Sequence, residues 1–218
     1  MDRAELTQAL IKAFSETTEI VLASLVISVV LGGLIGLLLF MTSNPLFTKN
    51  RVVNQIVGLI INITRSIPFI ILLVLLLPFT RLVIGTTIGS TSVIVPLSVA
   101  AIAFYARLAE ASFSDVSHGV LEAAVASGSK LFYIIIHVLI PEALPQLIKN
   151  ITVTAISLIG YSAMAGTVGG GGVGDLAIRY GYQRYQTEVM IICVILLILI
   201  VQALQIIGDY AAKAVNKK

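Results

Sequence analysis

Residues 122–141, Glu-Ala-Ala-Val-Ala-Ser-Gly-Ser-Lys-Leu-Phe-Tyr-Ile-Ile-Ile-His-Val-Leu-Ile-Pro, form a polar island between long apolar runs. The charged groups of this island would lose their hydration inside hydrocarbon, so it is expected on the water side of a membrane. Glu-Ala-Ala favours a helix, Gly128 interrupts it, and Pro141 is predicted to close a second amphipathic stretch. The pattern predicts either a helix–turn–helix that forms a rigid protruding element, or an ordinary loop on the bilayer surface.

The composition around this island is that of a membrane protein. Hydrophobic residues make up 58% of the 218 residues and charged residues only 11%, whereas a soluble domain has about 25% charged residues. A span needs about 20 apolar residues. The sequence therefore predicts an all-α, polytopic integral membrane protein with about five transmembrane helices, in a single transmembrane domain of residues 1–218. The predicted spans are roughly 20–41, 53–78, 88–106, 145–165 and 189–208, and residues 107–142 form the long water-side loop.

Two segments allow more than one interpretation. Met1–Glu19 is amphipathic and lacks the features of a cleavable signal, so it is predicted to be a short helix on the outer surface. In the second span, Arg65 and Pro68 interrupt the apolar run. The segment is either one span with a proline kink or a surface helix followed by a short crossing. Arg65 then either faces protein or water within the membrane, or extends to an interface.

The basic residues are scattered at the ends of the spans, where they set topology rather than bind nucleic acid. Five spans place the two termini on opposite sides. The side richer in lysine and arginine is expected to be the cytoplasm, which puts the C-terminus inside and the N-terminus outside. The richer side holds Lys49, Arg51, Arg107, Lys130, Lys149, Lys213, Lys217 and Lys218, and the other side holds Arg3, Lys12, Arg81, Arg179 and Arg184.

No enzymatic or metal-binding pattern is found in the sequence. His118 and His137 are far from any second cluster of ligands, so no metal site is predicted. The sequence contains no Gly-x-x-x-x-Gly-Lys-Ser/Thr, and therefore no phosphate-binding loop of its own. The chain is not expected to be an enzyme or to hold a cofactor.

The spacing of the polar island resembles the signature loop of bacterial ABC-importer permeases. In that family the loop forms a coupling helix that sits in a groove of a separate ATP-hydrolysing subunit. The resemblance implies an ABC-importer permease fold with a cytoplasmic coupling helix. The family usually has isoleucine and leucine where this chain has Val138 and Ile140. The matching positions are Glu122, Ala123, Ala124, Gly128, Val138, Ile140 and Pro141.

Longer blocks resemble the methionine-importer permeases within that family. These blocks are residues 158–166 and 169–174 and Arg179-Tyr180-Gly181-Tyr182. The resemblance implies import of L- and D-methionine by alternating access through the bacterial inner membrane. It also implies a homodimer of this permease, two copies of an ABC ATPase that bind ATP and Mg, and an external methionine-binding lipoprotein. A polar-amino-acid ABC importer is the main alternative, and an ion-coupled secondary transporter is a weaker one, because no acidic residue lies within a predicted span except at the very end of the last.

The fourth span carries the candidate residues for a substrate pathway. A route for an amino acid needs small and polar groups, flanked by apolar side chains that can close it. Tyr161, Ser162 and Met164, followed by Gly166 in a glycine-rich hinge, fit this description. Methionine is flexible and polarizable, which suits a gate, although packing against lipid or protein is the commoner role of a methionine in a membrane helix.

Overall fold

The computed structural model of the chain describes residues 3–216. Within this range the chain forms helices and no strands, which confirms the predicted fold class. Met1, Asp2, Lys217 and Lys218, which carry part of the predicted surface helix and of the basic tail, lie outside the described residues. The helices are α1 Arg3–Ser43, α2 Arg51–Ser66, α3 Phe69–Leu75, α4 Leu77–Ile84, α5 Ser90–Ser114, α6 His118–Ala126, α7 Leu131–Ile134, α8 Ile140–Ala165, α9 Gly172–Leu176 and α10 Thr187–Val215.

Helix α1 differs from its prediction because it is continuous over 41 residues. The sequence predicted a separate surface helix before the first span, but no break occurs near Glu19. At 1.5 Å per residue α1 is about 60 Å long, twice the hydrocarbon thickness of a bilayer. The amphipathic start of the chain is therefore an extension of the first long apolar helix.

Four helical segments of the described chain are long and apolar enough to cross a membrane, and a bent pair raises the number to five. The bent pair is α2 and α3, whose axes differ by 105°. The bend occurs because Ile67, which precedes Pro68, is extended with ψ 124°. The segment is therefore not one continuous helix: α2 and α3 are separate helices, and they count as a fifth span only if the bent pair crosses the membrane together.

Helix α5 lies at the centre of the bundle and packs closely against α1. Gly32 and Gly36 on α1 face the main chain of α5 near Ala106, and both glycines are buried. A methyl group added at Gly36 would come within 2.6 Å of the Ala106 carbonyl oxygen. The glycines of the first span therefore allow two helices to approach closely, as small residues do in membrane helix pairs.

Polar side chains also join α5 to its neighbours. Arg107 donates to the Gly58 carbonyl oxygen and to Asn62 Oδ1, both at 3.0 Å, which ties α2 to α5. On the other side of α5, the buried Asn150 of α8 donates to Ser112 Oγ at 2.7 Å. Such bonds between helices satisfy polar groups that would otherwise be unpaired in hydrocarbon.

The predicted loop of residues 107–142 is mostly helical. Arg107 to Ser114 are the last turns of α5, and α6 follows after a short turn. The helical run then continues without a break from Leu131 through a π-helical turn, Ile135–Leu139, into α8. Pro141 was predicted to close a helix, and this is wrong. Proline has no main-chain N–H to donate within a helix. The π-helical turn before Pro141 is wider than an α-helical turn and accommodates this loss, so the helix continues past the proline.

Candidate functional site

Helix α6 carries most of the signature loop and is attached to the bundle by a single buried side chain. Leu121 is 1% exposed, and it is the only residue of α6 that is buried. Leu121 belongs to a cluster of buried side chains that come from α1, α5, α8 and the π-helical turn Ile135–Leu139. The other buried members of this cluster are Phe40, Tyr105, Ala109, Phe113, Leu139, Ala143 and Leu147.

The signature residues of α6 face outward. Glu122 and Ala123 are exposed, Ala124 is half-buried, and the Glu122 carboxylate lies 3.2 Å from Nδ1 of His118. The apolar side chains of Val120 and Val125 are also exposed. This face of α6 therefore leaves small, apolar and acidic side chains available for contact with another surface, while Leu121 holds the helix to the bundle.

Gly128 ends this element with a sharp turn. Its φ is +72°, a conformation that favours glycine, and no atom lies within 4 Å of the position that a side chain would take. The flanking Ser127 and Ser129 hydroxyls are 2.9 Å apart, and Ser127 also donates to the Ala124 carbonyl oxygen. Gly128 is therefore required for the direction of the chain rather than for close packing.

A recess of about 380 Å³ lies beside this turn. One wall is the start of the long helix, where the rings of Tyr133 and His137 stack with centroids 5.7 Å apart. Pro141, the last position of the signature, is exposed one turn further along the same helix. The structure thus brings Glu122, Ala123, Ala124 and Gly128 together, and places Pro141 on the adjoining helix. The recess is lined by Ala124, Ser127, Ser129, Lys130, Tyr133, Ile134, His137 and Val138.

The four pathway candidates lie at the opposite end of α8. Tyr161 is half-buried and stacks on Phe69 of α3, with ring centroids 4.7 Å apart. Ser162 is buried, and its hydroxyl donates to the Ile159 carbonyl oxygen, so it does not face open space within one chain. Met164 is 50% exposed. Of this set, Met164 has the most exposed side chain.

Gly166 does not lie in a loose hinge. It is buried, and a methyl group there would meet the main chain of Gly174 and Asp175. The glycine-rich loop, defined here as residues 166–174, therefore folds back tightly on the end of α8. Gly89, just before α5, donates its N–H to the Gly169 carbonyl oxygen at 3.1 Å, so the loop also contacts the start of α5.

Arg65 is exposed at the C-terminal end of α2. Arg65 lies beside the 105° bend between α2 and α3. Among residues 3–216 no group of three His, Cys, Asp or Glu side chains could hold a metal ion.

Sequence reasoning missed three contributors to these sites. Leu121 directly precedes the Glu-Ala-Ala motif, and an apolar side chain at the edge of the polar island was the available signal. His118 lies one helical turn before Glu122, a spacing at which a pair of side chains can meet. The contacts of Glu16 and Thr17 with the glycine-rich loop cross 156 residues of sequence, and no local pattern indicates them.

Comparison with protein families gives a match to the family described as binding-protein-dependent transport system inner membrane component, over residues 28–218. A relative in Pasteurella multocida, named probable D-methionine transport system permease protein MetI, is 50% identical over 186 residues, which cover 85% of this chain and 86% of that one. The methionine import system permease protein MetP of Bacillus subtilis is 44% identical over 181 residues, covering 83% and 82% of the two chains.

Solved structures show the same similarity. A chain from a structure titled inward facing conformations of the MetNI methionine ABC transporter superposes with a TM-score of 0.95, at 40% identity and with 100% of both chains covered. A chain from an amino acid ABC transporter, crystallised with histidines, has a TM-score of 0.79 at 19% identity, and shows the fold alone.

Proposed function

The chain belongs to the family of binding-protein-dependent transport system inner membrane components, and from this premise we propose that it is the permease subunit of a methionine ABC importer. The observation that carries this function is the similarity over the full chain to a methionine ABC transporter, supported by relatives named for methionine transport. The family is a membrane component of a transport system, so the chain is a transport protein and not an enzyme.

Energy for transport comes from a separate ABC ATPase, because an importer of this class hydrolyses ATP on another subunit. In our proposal two copies of the ATPase bind ATP and Mg, and two copies of this permease pair about a two-fold axis. The face of α6 with Glu122, Ala123 and Ala124 docks on the ATPase. Leu121 gives that face a rigid support, which an element that transmits force requires.

The long helix that follows Gly128 provides the mechanical link. Leu131–Val168 is one helical run of 38 residues, about 57 Å long. It begins beside α6 and ends at the gate segment, defined here as Met164 and Gly166. A movement of α6 can therefore reach the gate segment through a single stiff element, which supports alternating access.

The gate segment and its neighbours line the route of the amino acid in this proposal. Met164 is half-exposed in one chain, so a second copy or the substrate has access to its side chain. Tyr161 and Ser162 lie within the preceding turn, and Tyr161 braces α8 against α3. An external methionine-binding lipoprotein delivers the substrate, which in our proposal includes both L- and D-methionine.

The gate segment and α6 lie at opposite ends of α5 and α8, so their ends of the bundle face opposite sides of the membrane. We propose that α6 and the C-terminus are cytoplasmic in the bacterial inner membrane and that the N-terminus is outside. A periplasm-active reporter fused after Lys218 is expected to be inactive, while a reporter that works in the cytoplasm is active. The opposite result from the two fusions would reverse this orientation.

Substrate identity is tested by competition during uptake. Proteoliposomes that contain the permease, the ATPase and the binding protein are expected to accumulate labelled methionine. Excess unlabelled L- or D-methionine should reduce the signal at least tenfold, whereas glutamine and histidine should leave it unchanged. Inhibition by polar amino acids and not by methionine would instead support the polar-amino-acid importer.

A further inference from the structure

Two side chains of α1 reach the glycine-rich loop. The N–H of Gly172 donates to Glu16 Oε2 at 2.8 Å, and the N–H of Val173 donates to Thr17 Oγ1 at 2.9 Å. Thr17 is 3% exposed, so its bond is fully protected from water. The Glu16 side chain is 25% exposed, and its other oxygen is 3.9 Å from Nζ of Lys12.

The loop is shaped to receive these two acceptors. Gly171 and Gly172 have φ values of +72° and +79°. A methyl group at Gly171 would lie 2.8 Å from Glu16 Oε2, and one at Gly172 would lie 2.6 Å from Thr17 Oγ1. Only a backbone without side chains can approach the acceptors this closely. The main chain of the loop is therefore built around Glu16 and Thr17.

The other side of the loop packs on the gate segment. A methyl group at Gly174 would meet the main chain of Ala163, and one at Gly166 would meet the main chain of Gly174. The N–H of Gly170 donates to the Ala165 carbonyl oxygen at 3.0 Å. Met164 lies between these contact points. A shift of the loop thus cannot occur without a shift of the last turn of α8.

We propose that Glu16 and Thr17 are positioning residues that hold the glycine-rich loop, and through it the gate segment, in place and so prevent leakage. This inference rests on the proposed function, because it assigns the gate to Met164 and Gly166. The bond to the Glu16 carboxylate is charge-assisted, and the bond to Thr17 is buried, so both are stronger than an exposed neutral bond. Loss of either acceptor leaves a main-chain N–H of the loop without its partner.

The test uses pairs of variants that separate hydrogen bonding from shape and charge. Thr17→Val keeps the shape and removes the acceptor, whereas Thr17→Ser keeps the hydroxyl. Glu16→Ala removes the acceptor, whereas Glu16→Gln keeps an amide oxygen and removes the charge. Each variant is assembled with the ATPase in proteoliposomes loaded with labelled methionine. The measured quantity is the efflux of methionine without ATP.

Thr17→Val and Glu16→Ala are expected to raise this leak about fivefold, the size of effect that loss of one hydrogen bond gives. Thr17→Ser should leak as little as the unmodified protein, and Glu16→Gln, which keeps an oxygen acceptor without the charge, should leak much less than Glu16→Ala. Hydrogen–deuterium exchange of the peptide that covers residues 166–176 should be faster in the two leaky variants only. This second readout does not depend on transport.

Unchanged leak and exchange in Thr17→Val and Glu16→Ala would overturn the proposal. An equal rise of the leak in all four variants would also overturn it, because two of these variants keep an oxygen that can accept the hydrogen bond. Failure of both Thr17→Val and Glu16→Ala to assemble would show a purely structural role and overturn it too. If the unmodified protein does not accumulate methionine at all, the proposed function fails. If it accumulates methionine and the variants do not leak, only the positioning role is refuted.

Discussion

Replacement of Gly36 with alanine is expected to lower the unfolding temperature of the purified permease by about 4–12 °C, from an overpacking cost of about 2–3 kcal/mol. The added methyl group would lie 2.6 Å from the Ala106 carbonyl oxygen, 2.7 Å from the Ala109 Cβ and 3.0 Å from the Glu110 N. Two of these three atoms belong to the main chain of α5, which cannot rotate away. The helices α1 and α5 must separate to make room.

Gly33→Ala is the matched control. It places the same methyl group on the same helix three residues earlier, where the nearest atom is Tyr105 Cε1 at 3.7 Å, an ordinary contact. Its unfolding temperature should stay within about 2 °C of the unmodified protein. Thermal unfolding followed by circular dichroism in the same detergent compares the three proteins. Equal unfolding temperatures for Gly36→Ala and Gly33→Ala would contradict the close α1–α5 contact.

Leu121→Ala is expected to reduce ATP-driven methionine uptake at least tenfold while the protein still inserts and binds detergent normally. Truncation of a buried leucine costs about 2–5 kcal/mol. Leu121 is the only buried residue of α6, so this cost falls on the attachment of α6 to the bundle. The ATPase would then move a helix that no longer moves the rest of the permease.

The control for this variant is Val125→Ala, on the same helix. Val125 is 36% exposed, so its truncation should leave the unfolding temperature unchanged, whereas Leu121→Ala should lower it. Uptake and ATP hydrolysis are measured on the same proteoliposomes. Hydrolysis that continues in Leu121→Ala without uptake fits a loosened coupling element. Full uptake in Leu121→Ala would show that α6 does not need its buried anchor.

Much of the fold could be predicted from the sequence because apolar runs and charges report directly on the membrane. The bundle of long helices and the separate short helix at Glu122 between two of them followed from this pattern. The continuity of α1 could not be predicted, since an amphipathic segment has the same periodicity on a surface as in an extended helix. The helical passage through Pro141 was also missed, because it depends on a π-helical turn that has no sequence signature.

The candidate sites were predictable to different degrees. The residues from Glu122 to Gly128 were correctly predicted to form a helix that ends in a turn. Both features depend only on neighbouring residues in the sequence. The tight packing of Gly166 could not be predicted, because its neighbours at Gly174 and Asp175 meet it only after the chain folds back. The bonds of Glu16 and Thr17 to the loop depend on tertiary structure in the same way.

The source of energy tests the central claim most directly. Proteoliposomes that contain this permease, the ATPase and the methionine-binding protein are prepared without any ion gradient, and labelled methionine inside them is measured with and without ATP and Mg. Our account predicts accumulation against the concentration gradient only with ATP, and none when the ATPase is left out. Accumulation driven by a proton or sodium gradient in liposomes that contain the permease alone would contradict it.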